Sequence, residues 1–240
     1  MEGFMKGVLL AGGSGTRLYP LTRGVNKHLL PVGNKPMILY PLEKLTKVGV
    51  KDVLLITGPE HLTPFAHLLG DGTEWGLNLH IRAQVKPGGI AQALGLAKEF
   101  VGGESFWVLL GDNLFEDSLN EMQSDFPLKE DEAFVALKEV SHPDQFGIAQ
   151  MERGDIINIV EKPKRSIGNL CVTGIYAYTP KVFEVIAEVK PSLRGEMEIS
   201  SVNNFYAQAG KLKYHILKNW WMDAGTTKDY LQANRFIIGR

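Results

Sequence analysis

The stretch KGVLLAGGSGTRL, residues 6–18, joins a short apolar run to a turn that holds three glycines within four positions. Its apolar part, Gly7–Ala11, predicts a buried strand. Glycine lets the following backbone take positive φ angles and approach a ligand without a Cβ clash, and the N–H groups of such a turn can hold phosphate. The stretch has no Walker motif, and Leu18 stands where a dinucleotide-binding fingerprint has its third glycine. Taken alone, it is compatible with a phosphate loop or with a tight turn that binds nothing.

Outward from this stretch, the first half of the chain alternates short apolar runs with longer amphipathic ones. Three further strands and three helices are predicted there. Alternation of this kind is typical of βαβ units, which build a parallel sheet through right-handed crossovers. The predicted strands are Asp52–Thr57, Leu79–Gln84 and Phe106–Leu110, and the predicted helices are Pro36–Val48, Pro59–Leu69 and Ile90–Phe100.

The pattern changes near Glu132, after which strands follow one another with little helix between them. Because no linker or internal repeat separates the two halves, they are predicted to share one sheet. The predicted fold is α/β, a single domain over residues 1–240 with one mixed, mainly parallel sheet flanked by helices. The later strands are predicted at Ala133–Val140, Ile148–Met151, Ile156–Glu161, Cys171–Tyr178 and Leu212–Leu217, and the later helices at Pro180–Val189, Glu198–Ala209 and Thr227–Ile238.

The composition is that of an ordinary globular protein, since 44% of the 240 residues are hydrophobic and 22% are charged. The net charge of −1 excludes a global field for nucleic acid or an anionic membrane, and the apolar runs are too short for a membrane helix. The N-terminal residues lack the ordered regions of a signal peptide. Cys171 is the lone cysteine, so no internal disulfide can form. We therefore expect a cytoplasmic enzyme or binding protein that holds anionic ligands by local positive groups.

Charged residues near predicted strand ends indicate phosphate and metal chemistry. Arg17 follows the glycine turn, where a guanidinium can bind phosphate through two hydrogen bonds. Lys27 can neutralise phosphate as a point charge, although an isolated lysine is more typical of a solvated surface. Asp112 follows a predicted strand at the edge where α/β sheets bind ligands, and Asp223 is a candidate partner. Two carboxylates suit Mg²⁺ when phosphate oxygens complete its shell, while either aspartate alone is equally a turn residue.

Two further segments offer groups for a base and for a sugar. Gln84 carries a donor and an acceptor that match the imide edge of uracil or thymine, and Gly89 lets a flat base lie close to the backbone. A plain helix-entry turn explains both residues equally well. Glu161 and Lys162, at a predicted strand end, suit a polyhydroxy substrate that carries phosphate, or they form an exposed pair with no ligand.

Together these segments resemble the sugar nucleotidyltransferases, most closely the glucose-1-phosphate thymidylyltransferases. The resemblance extends from about Lys6 to Ile238, and the motifs stand in the order that the family has. The fold implied is the Rossmann-like nucleotidyltransferase fold, with a nucleotide-binding half near residues 6–130 and a sugar-phosphate-binding half near residues 131–240. The motifs are LAGGSGTRLYPLT, NKHLLPV, QVKPGGIAQA, LGDN, QFG, EKP, VTGIY, RGEMEI and WMDAGT.

The resemblance implies Mg²⁺-dependent transfer of a nucleotidyl group from dTTP to α-D-glucose 1-phosphate, which yields dTDP-glucose and pyrophosphate by in-line attack. Catalytic roles are implied for Arg17, Lys27, Asp112, Lys162 and Asp223, with Asp112 and Asp223 as the Mg²⁺ ligands. Nucleotide binding is implied for Leu10, Ala11, Gly12, Gly13, Arg17, Lys27, Gln84, Gly89 and Asp112. Sugar-phosphate binding is implied for Gly147, Glu161, Lys162, Val172 and Arg194. The expected partners are these small molecules, without nucleic acid or membrane, and a homo-oligomer is compatible with the sequence.

Some positions depart from longer relatives, many of which have Gln at His28, Tyr at Phe146 and Asp at Ser201. Phe146 lacks the hydroxyl that a tyrosine would offer the sugar, so we expect looser sugar selectivity. The chain also stops near Ile238, where longer relatives continue with a small helical unit for subunit contact and product feedback. We expect catalysis to be retained without that feedback site.

Three alternatives stay open at this point. Transfer from UTP is the closest, because Gln84 does not touch the methyl group that distinguishes thymine from uracil. The second alternative is a catalytically silent subunit that binds a sugar nucleotide. It is disfavoured because such a subunit would not need cations and carboxylates such as Arg17 and Asp112. A nicotinamide-dependent dehydrogenase on a similar sheet is disfavoured by the missing third glycine at Leu18.

Overall fold

The computed structural model describes residues 6–125 and 129–239. Residues 1–5, 126–128 and 240 lie outside the described part, and residues 1–5 begin the N-terminal segment that was considered above for a signal peptide. The strands are β1 (Lys6–Leu10), β2 (Pro31–Val32), β3 (Lys35–Pro36), β4 (Asp52–Thr57), β5 (Asn78–Ala83), β6 (Phe106–Leu110), β7 (Asn113–Phe115), β8 (Ala133–Glu139), β9 (Gly147–Glu152), β10 (Asp155–Glu161), β11 (Leu170–Tyr178), β12 (Leu212–Ile216) and β13 (Trp221–Asp223). The helices are α1 (Leu39–Lys47), α2 (Leu62–Leu69), α3 (Ile90–Gly95), α4 (Lys98–Val101), α5 (Leu119–Asp125), α6 (Val182–Glu188), α7 (Ile199–Gln208) and α8 (Thr227–Ile238).

A mixed sheet of nine strands forms the centre of the fold and confirms the predicted α/β class. Its first half is parallel and has the order β5-β4-β1-β6, with Leu9 of β1 beside Leu55 and Leu109. Parallel neighbours need long crossover connections, and α1, α2 and the α3–α4 pair follow β1, β4 and β5 in the chain. Both neighbours of β1 in the sheet, β4 and β6, are parallel to it, so the glycine-rich turn after β1 is not a hairpin. The turn lies open at the carboxyl ends of these strands.

The second half of the chain adds antiparallel strands to the same sheet. Strand β11 pairs with β6 on one side and with β8 on the other, and β12 continues the sheet in parallel beside β8. The start of β11 also meets β9, where Cys171 lies opposite Ile148. A separate two-stranded ribbon, β7 with β13, stands beside the main sheet and pairs Trp221 with Phe115. Both halves of the chain therefore contribute strands to one sheet.

Buried side chains cover both faces of the sheet. Val8 belongs to one core cluster and the next residue, Leu9, to the other, as the period-two alternation of a strand requires. This explains why β4 (DVLLIT) is almost continuously apolar: its side chains are buried on both sides. A third cluster packs α8 against the β2–β3 hairpin and the β7–β13 ribbon.

Several predicted boundaries differ from the structure. The helix predicted from Pro36 begins at Leu39, because Lys35–Pro36 pairs with Pro31–Val32 as a short hairpin. The helix predicted over Ile90–Phe100 is divided into α3 and α4, and the predicted Pro59–Leu69 helix begins with a 3₁₀ turn at Pro59–His61. The ends of most other strands and helices move by one or two residues, while β4, β6 and α8 have the predicted bounds. Within the described ranges, no helix is both long enough and apolar enough to cross a membrane.

Candidate active site

A cleft of about 400 Å³ opens at the carboxyl ends of β1 and β6, the edge at which parallel α/β sheets bind ligands. The second half of the chain closes it, since β9, β10 and β11 also reach it. All of the site residues implied by the resemblance line this cleft except Ala11. The sequence motifs, spread over more than 200 positions, are thus brought to one place.

The glycine-rich turn forms the floor of the cleft. Gly13 and Gly15 have φ angles of 94° and 63°, a left-handed conformation that side chains other than glycine rarely adopt. The Thr22 hydroxyl donates to the Gly15 carbonyl at 2.7 Å and so stabilises the turn. Gly12 leaves room beside Gln84, whose Oε1 would lie 2.9 Å from a Cβ at that position.

Ala11 does not line the cleft, although the resemblance implies a nucleotide-binding role for it. Its N–H donates to the Ile56 carbonyl at 2.8 Å, and its carbonyl accepts from the Asn26 side chain at 3.0 Å and from Thr57 Oγ1 at 2.9 Å. The backbone groups of Ala11 therefore extend the sheet and anchor a neighbouring loop. That loop begins at Asn26, whose side chain also accepts from the His28 N–H at 2.9 Å and so positions Lys27 between them.

Asp112 and Lys27 form a buried ion pair at the centre of the cleft, with side-chain exposures of 8% and 13%. Asn113 adds a hydrogen bond from Nδ2 to Asp112 Oδ1 at 3.2 Å. Burial alone would raise the pKa of Asp112, but the Lys27 ammonium and these hydrogen bonds hold it well below its usual value. Asp112 is therefore a carboxylate that already has a cationic partner.

The β7–β13 ribbon brings Asp223 to Asp112. Asp223 lies opposite Asn113 in the ribbon, and the Ala224 N–H donates to the Asp112 carbonyl at 2.9 Å. Asp223 Oδ1 accepts from the Gly225 N–H at 2.9 Å. Burial and the nearby Asp112 charge raise the pKa of Asp223, whereas Lys27 and Arg17 oppose that shift. The two carboxylates thus interact electrostatically, as a shared ligand site requires.

The donor chemistry of this pair suits a magnesium ion. Mg²⁺ takes oxygen ligands, commonly one or two carboxylates completed by substrate phosphates and water. Asp112 and Asp223 repel each other in one cleft, and a divalent cation between them would relieve that repulsion. Over residues 6–125 and 129–239, no group of three or more His, Cys, Asp or Glu side chains is arranged to hold a metal. The two aspartates are therefore the candidate metal ligands.

Gln84 and Gly89 line a part of the cleft that we call the base end. Gln84 is buried, and its Nε2 donates to the Gln92 side chain at 2.5 Å and to the Gly89 carbonyl at 3.3 Å. Gly89 has a φ of 96° and lies against residue Met197, whose carbonyl oxygen would be 2.5 Å from an added Cβ. This end is therefore narrow, flat and rigid, which suits a planar ring.

Glu161 and Gly147 lie opposite each other in the β9–β10 pairing. The missing side chain of Gly147 leaves space there, since an added Cβ would lie 3.1 Å from Glu161 Oε2. Desolvation in the cleft and the charge of Glu198 raise the pKa of Glu161. Lys162 follows with a φ of 46°, and its N–H donates to the Phe146 carbonyl at 2.9 Å. A left-handed lysine is strained, and such strain is concentrated at functional sites.

Arg194 enters from the loop before α7 and is held by two carboxylates. Its Nη2 atom lies 3.0 Å from Glu196 Oε2 and 3.1 Å from Glu198 Oε1. Glu198 also accepts from the Ser192 hydroxyl at 2.9 Å. Arg194 is thus positioned over the same end of the cleft as Glu161, and a phosphate there would compete with Glu196 and Glu198 for it.

The charge balance of the cleft adds to one expectation. The four cations that the sequence predicts at the phosphates do line the cleft, but carboxylates outnumber them there. An acidic cleft disfavours a bare triphosphate and favours one that enters with a divalent cation. The carboxylates are Asp112, Glu161, Glu196, Glu198, Asp223 and Asp229, and the cations are Arg17, Lys27, Lys162 and Arg194.

Sequence reasoning missed two contributors to the site. Asn113 Oδ1 accepts from the Gly174 N–H and from Trp221 Nε1, both at 2.9 Å, so it joins β11, β7 and β13 at Asp112. The Trp221 ring meets the Phe146 ring edge-on, with 5.7 Å between their centroids, and lines the cleft. In the sequence, Asn113 stands next to Asp112, and Trp221 stands two residues before Asp223. This proximity to the two aspartates was the signal that could have identified them.

His28 is buried beside Lys27 and carries no charge at neutral pH. Burial, and next the Lys27 charge, lower its pKa from 6.5 to about 3. Because the unfolded chain binds a proton below pH 6.5 and the folded chain does not, stability falls as the pH drops from 6.5 towards 3. The expected slope is roughly 1.4 kcal/mol of unfolding free energy per pH unit.

We therefore expect His28→Gln to abolish this part of the pH dependence. Urea unfolding at pH 7 and pH 5 measures it: wild type should lose about 2 kcal/mol more than the variant on acidification. His142→Gln, at an exposed histidine, is the control and should behave as wild type. An equal loss in wild type and His28→Gln would show that His28 protonates in the folded state.

Comparisons with known proteins agree with this geometry. A family model described as nucleotidyl transferase matches residues 6–239. A glucose-1-phosphate thymidylyltransferase of Xanthomonas campestris is 43% identical over 236 residues, covering 97% of this chain and 80% of that protein. One of Neisseria meningitidis is 42% identical over 237 residues, covering 97% and 82%.

Solved structures give the same result. One from Bacillus anthracis, described as a glucose-1-phosphate thymidylyltransferase in complex with sucrose, superposes with a TM-score of 0.93 and 46% identity, covering 98% of this chain and 96% of that one. A UDP-glucose pyrophosphorylase complexed with UDP-glucose gives a TM-score of 0.85 at 26% identity, covering 99% and 100%. The predicted family is confirmed, and the chain belongs to the nucleotidyl transferase family.

Proposed function

We propose that this protein transfers a thymidylyl group from dTTP to α-D-glucose 1-phosphate, releasing pyrophosphate and forming dTDP-glucose. One observation carries the proposal: a single cleft joins a flat base-sized end, a glycine-rich turn, two carboxylates and the strand end with Glu161 and Lys162. The names of relatives at about 40% identity over most of the chain support the same reaction. Nucleotide and sugar phosphate would then lie on either side of Asp112 and Asp223.

The reaction joins a sugar phosphate oxygen to the α-phosphorus while the bond to pyrophosphate breaks on the opposite side. Catalysis of such a transfer depends on positioning and on neutralising the charge of the phosphates. We assign Arg17 and Lys27 to the leaving pyrophosphate, with the N–H groups of Gly12 and Gly13 beside the phosphate chain. Lys27 must give up its ion pair with Asp112 to reach the nucleotide, so the entry of substrate also frees a carboxylate oxygen.

We infer that Asp112 and Asp223 hold Mg²⁺. When bound, the ion supplies charge neutralisation at the phosphate oxygens around the reacting phosphorus. The chain's own part is to bring the two carboxylates together through the β7–β13 ribbon and to fix Asp112 through Asn113.

The sugar phosphate occupies the second half of the site in this proposal. Glu161 accepts hydrogen bonds from sugar hydroxyls, and the backbone at Gly147 and Val172 borders the ring. Lys162 and Arg194 hold the phosphate and keep its oxygen in line with the nucleotide. We also infer a cytoplasmic site of action, since the lone, buried Cys171 fits a reducing compartment.

Uridylyl transfer from UTP is the second candidate, because a UDP-glucose pyrophosphorylase shares the fold with a TM-score of 0.85. Incubation of the protein with glucose 1-phosphate, Mg²⁺ and either dTTP or UTP, followed by mass spectrometry of the products, separates the two. We expect dTDP-glucose to form faster. A preference for UTP would assign the second reaction, and no product from either nucleotide would refute both.

We expect Lys162→Met to raise the KM for glucose 1-phosphate at least about tenfold, since it removes a charge-assisted contact to phosphate. The KM for dTTP should change much less. Steady-state kinetics with each substrate varied in turn measures this. Lys164→Met, two residues further along and exposed, is the matched control. A similar rise in both KM values would place Lys162 away from the sugar phosphate.

A further inference from the structure

Gln84 presents one defined edge of its carboxamide to the cleft. Its Nε2 donates to Gln92 Oε1 at 2.5 Å and to the Gly89 carbonyl at 3.3 Å. A carboxamide nitrogen has two hydrogens, so both have acceptors within the protein. The oxygen lies on the other side, over the glycine-rich turn, where a Cβ on Gly12 would be 2.9 Å from it. The group offered to a ligand is therefore an acceptor.

Gln92 is the residue that fixes this orientation. It stands on the first turn of α3 and is not among the residues that line the cleft. Its side chain packs beneath Gly88, since a Cβ there would lie 3.0 Å from Gln92 Cγ. The oxygen of Gln92 faces the nitrogen of Gln84, and the nitrogen and oxygen of a carboxamide have nearly the same shape. Without this acceptor, the Gln84 nitrogen keeps the longer hydrogen bond to the Gly89 carbonyl but loses the shorter one, so its carboxamide can turn the nitrogen towards the cleft.

We propose that Gln92 is a positioning residue for base selectivity, which holds the Gln84 oxygen towards the ring nitrogen of a bound pyrimidine. This inference rests on the proposed function, in that the base of the nucleotide lies beside Gln84. Thymine and uracil carry N–H at ring position 3 and donate to that oxygen. Cytosine carries a lone pair there, so it would face the oxygen with no hydrogen bond.

The selection follows from the cost of an unpaired polar group in a buried site. Gln84 is only 8% exposed, so an oxygen that faces the cytosine lone pair loses both water and partner. Sites built around such a hydrogen bond reject ligands that cannot form it more strongly than sites that distinguish by shape. The arrangement separates dTTP and UTP from CTP and leaves dTTP and UTP equivalent at this contact.

The test compares kcat/KM for dTTP and for CTP, each with glucose 1-phosphate, in wild type and in two variants at Gln92. Gln92→Leu removes the acceptor while keeping a similar volume, and we expect the dTTP-to-CTP ratio to fall at least about tenfold, with an absolute gain for CTP. Gln92→Glu keeps an oxygen towards the Gln84 nitrogen, and the ratio should stay within about twofold of wild type.

The outcomes separate the inference from the proposed function. A wild type that transfers neither dTTP nor UTP refutes the proposed function. A wild type that uses dTTP, with a ratio unchanged in Gln92→Leu, overturns the role of Gln92 and leaves the function standing. Loss of dTTP turnover in Gln92→Leu without any gain for CTP, at an unchanged thermal midpoint, also overturns it. Calorimetric binding of dTMP and CMP gives the same ratio without turnover.

Discussion

Replacing Asp112 with asparagine is expected to lower kcat by about a thousandfold or more while the fold is kept. Asparagine is nearly isosteric, but it carries no charge to hold a divalent cation beside the phosphates. In the variant, Asp223 is still close to Lys27. The Asp112 charge is one cause of the raised pKa of Asp223, so its removal favours the ionised form of Asp223, which can then balance Lys27. Steady-state pyrophosphate release measures the change, and circular dichroism with thermal unfolding checks the fold.

The matched control is Asp155→Asn, at an exposed aspartate that begins β10. It removes one carboxylate from the protein and should leave turnover within about twofold, as is usual for a surface substitution. Turnover of Asp112→Asn near that of wild type would contradict the assignment of Asp112 to the metal. Equal losses in both variants would indicate a general effect of protein charge.

Gly89→Ala is expected to lower the free energy of unfolding by about 2–4 kcal/mol. The residue has a φ of 96°, and an added Cβ would lie 2.5 Å from the Met197 carbonyl oxygen and 2.8 Å from its nitrogen. Those atoms are backbone and already bonded, since Met197 donates to Gly88 and accepts from Ala91. The substitution therefore pushes apart the two segments that form the base end of the cleft, and the KM for dTTP should rise with the loss of stability.

Gly49→Ala separates backbone strain from the clash. Gly49 has a φ of 88° and no atom within 4 Å of an added Cβ, so this variant carries the strain alone, about 1–2 kcal/mol. Urea unfolding of both variants gives the difference between them. Equal losses of unfolding free energy in the two variants would show that the backbone at Met197 moves at little energetic cost. That result would contradict a rigid base end.

The sequence was sufficient for the alternating half of the fold because its physics is local. β4 and β6 are apolar on both faces since both are buried, and that pattern is visible in DVLLIT and FWVLL. The family resemblance of the ordered motifs indicated which residues line the cleft. Parallel-sheet geometry accounts only for those at the carboxyl ends of β1 and β6, such as Gly12 and Asp112. The prediction of α8 was equally direct, with Thr226 capping its first turn.

Other features depend on contacts between distant segments. The three-residue strands β7 and β13 gain their structure from each other, across more than 100 positions, so no local period marks them. Pro36 has the properties of a helix start but is recruited by Pro31 into a hairpin. Ala11 lies next to the glycine turn, yet its backbone is satisfied by Ile56 and Asn26. The balance of charges in the cleft also required Glu196 and Glu198 to be placed beside Arg194.

In the proposed reaction, one cleft binds a thymidine nucleotide and a sugar phosphate and joins them. The most direct test is the rate of pyrophosphate release from dTTP with Mg²⁺, measured with and without α-D-glucose 1-phosphate. We expect release that requires the sugar phosphate, saturates with it and accompanies an equal amount of dTDP-glucose. Release at the same rate without glucose 1-phosphate, or none with any pyrimidine triphosphate, would contradict it.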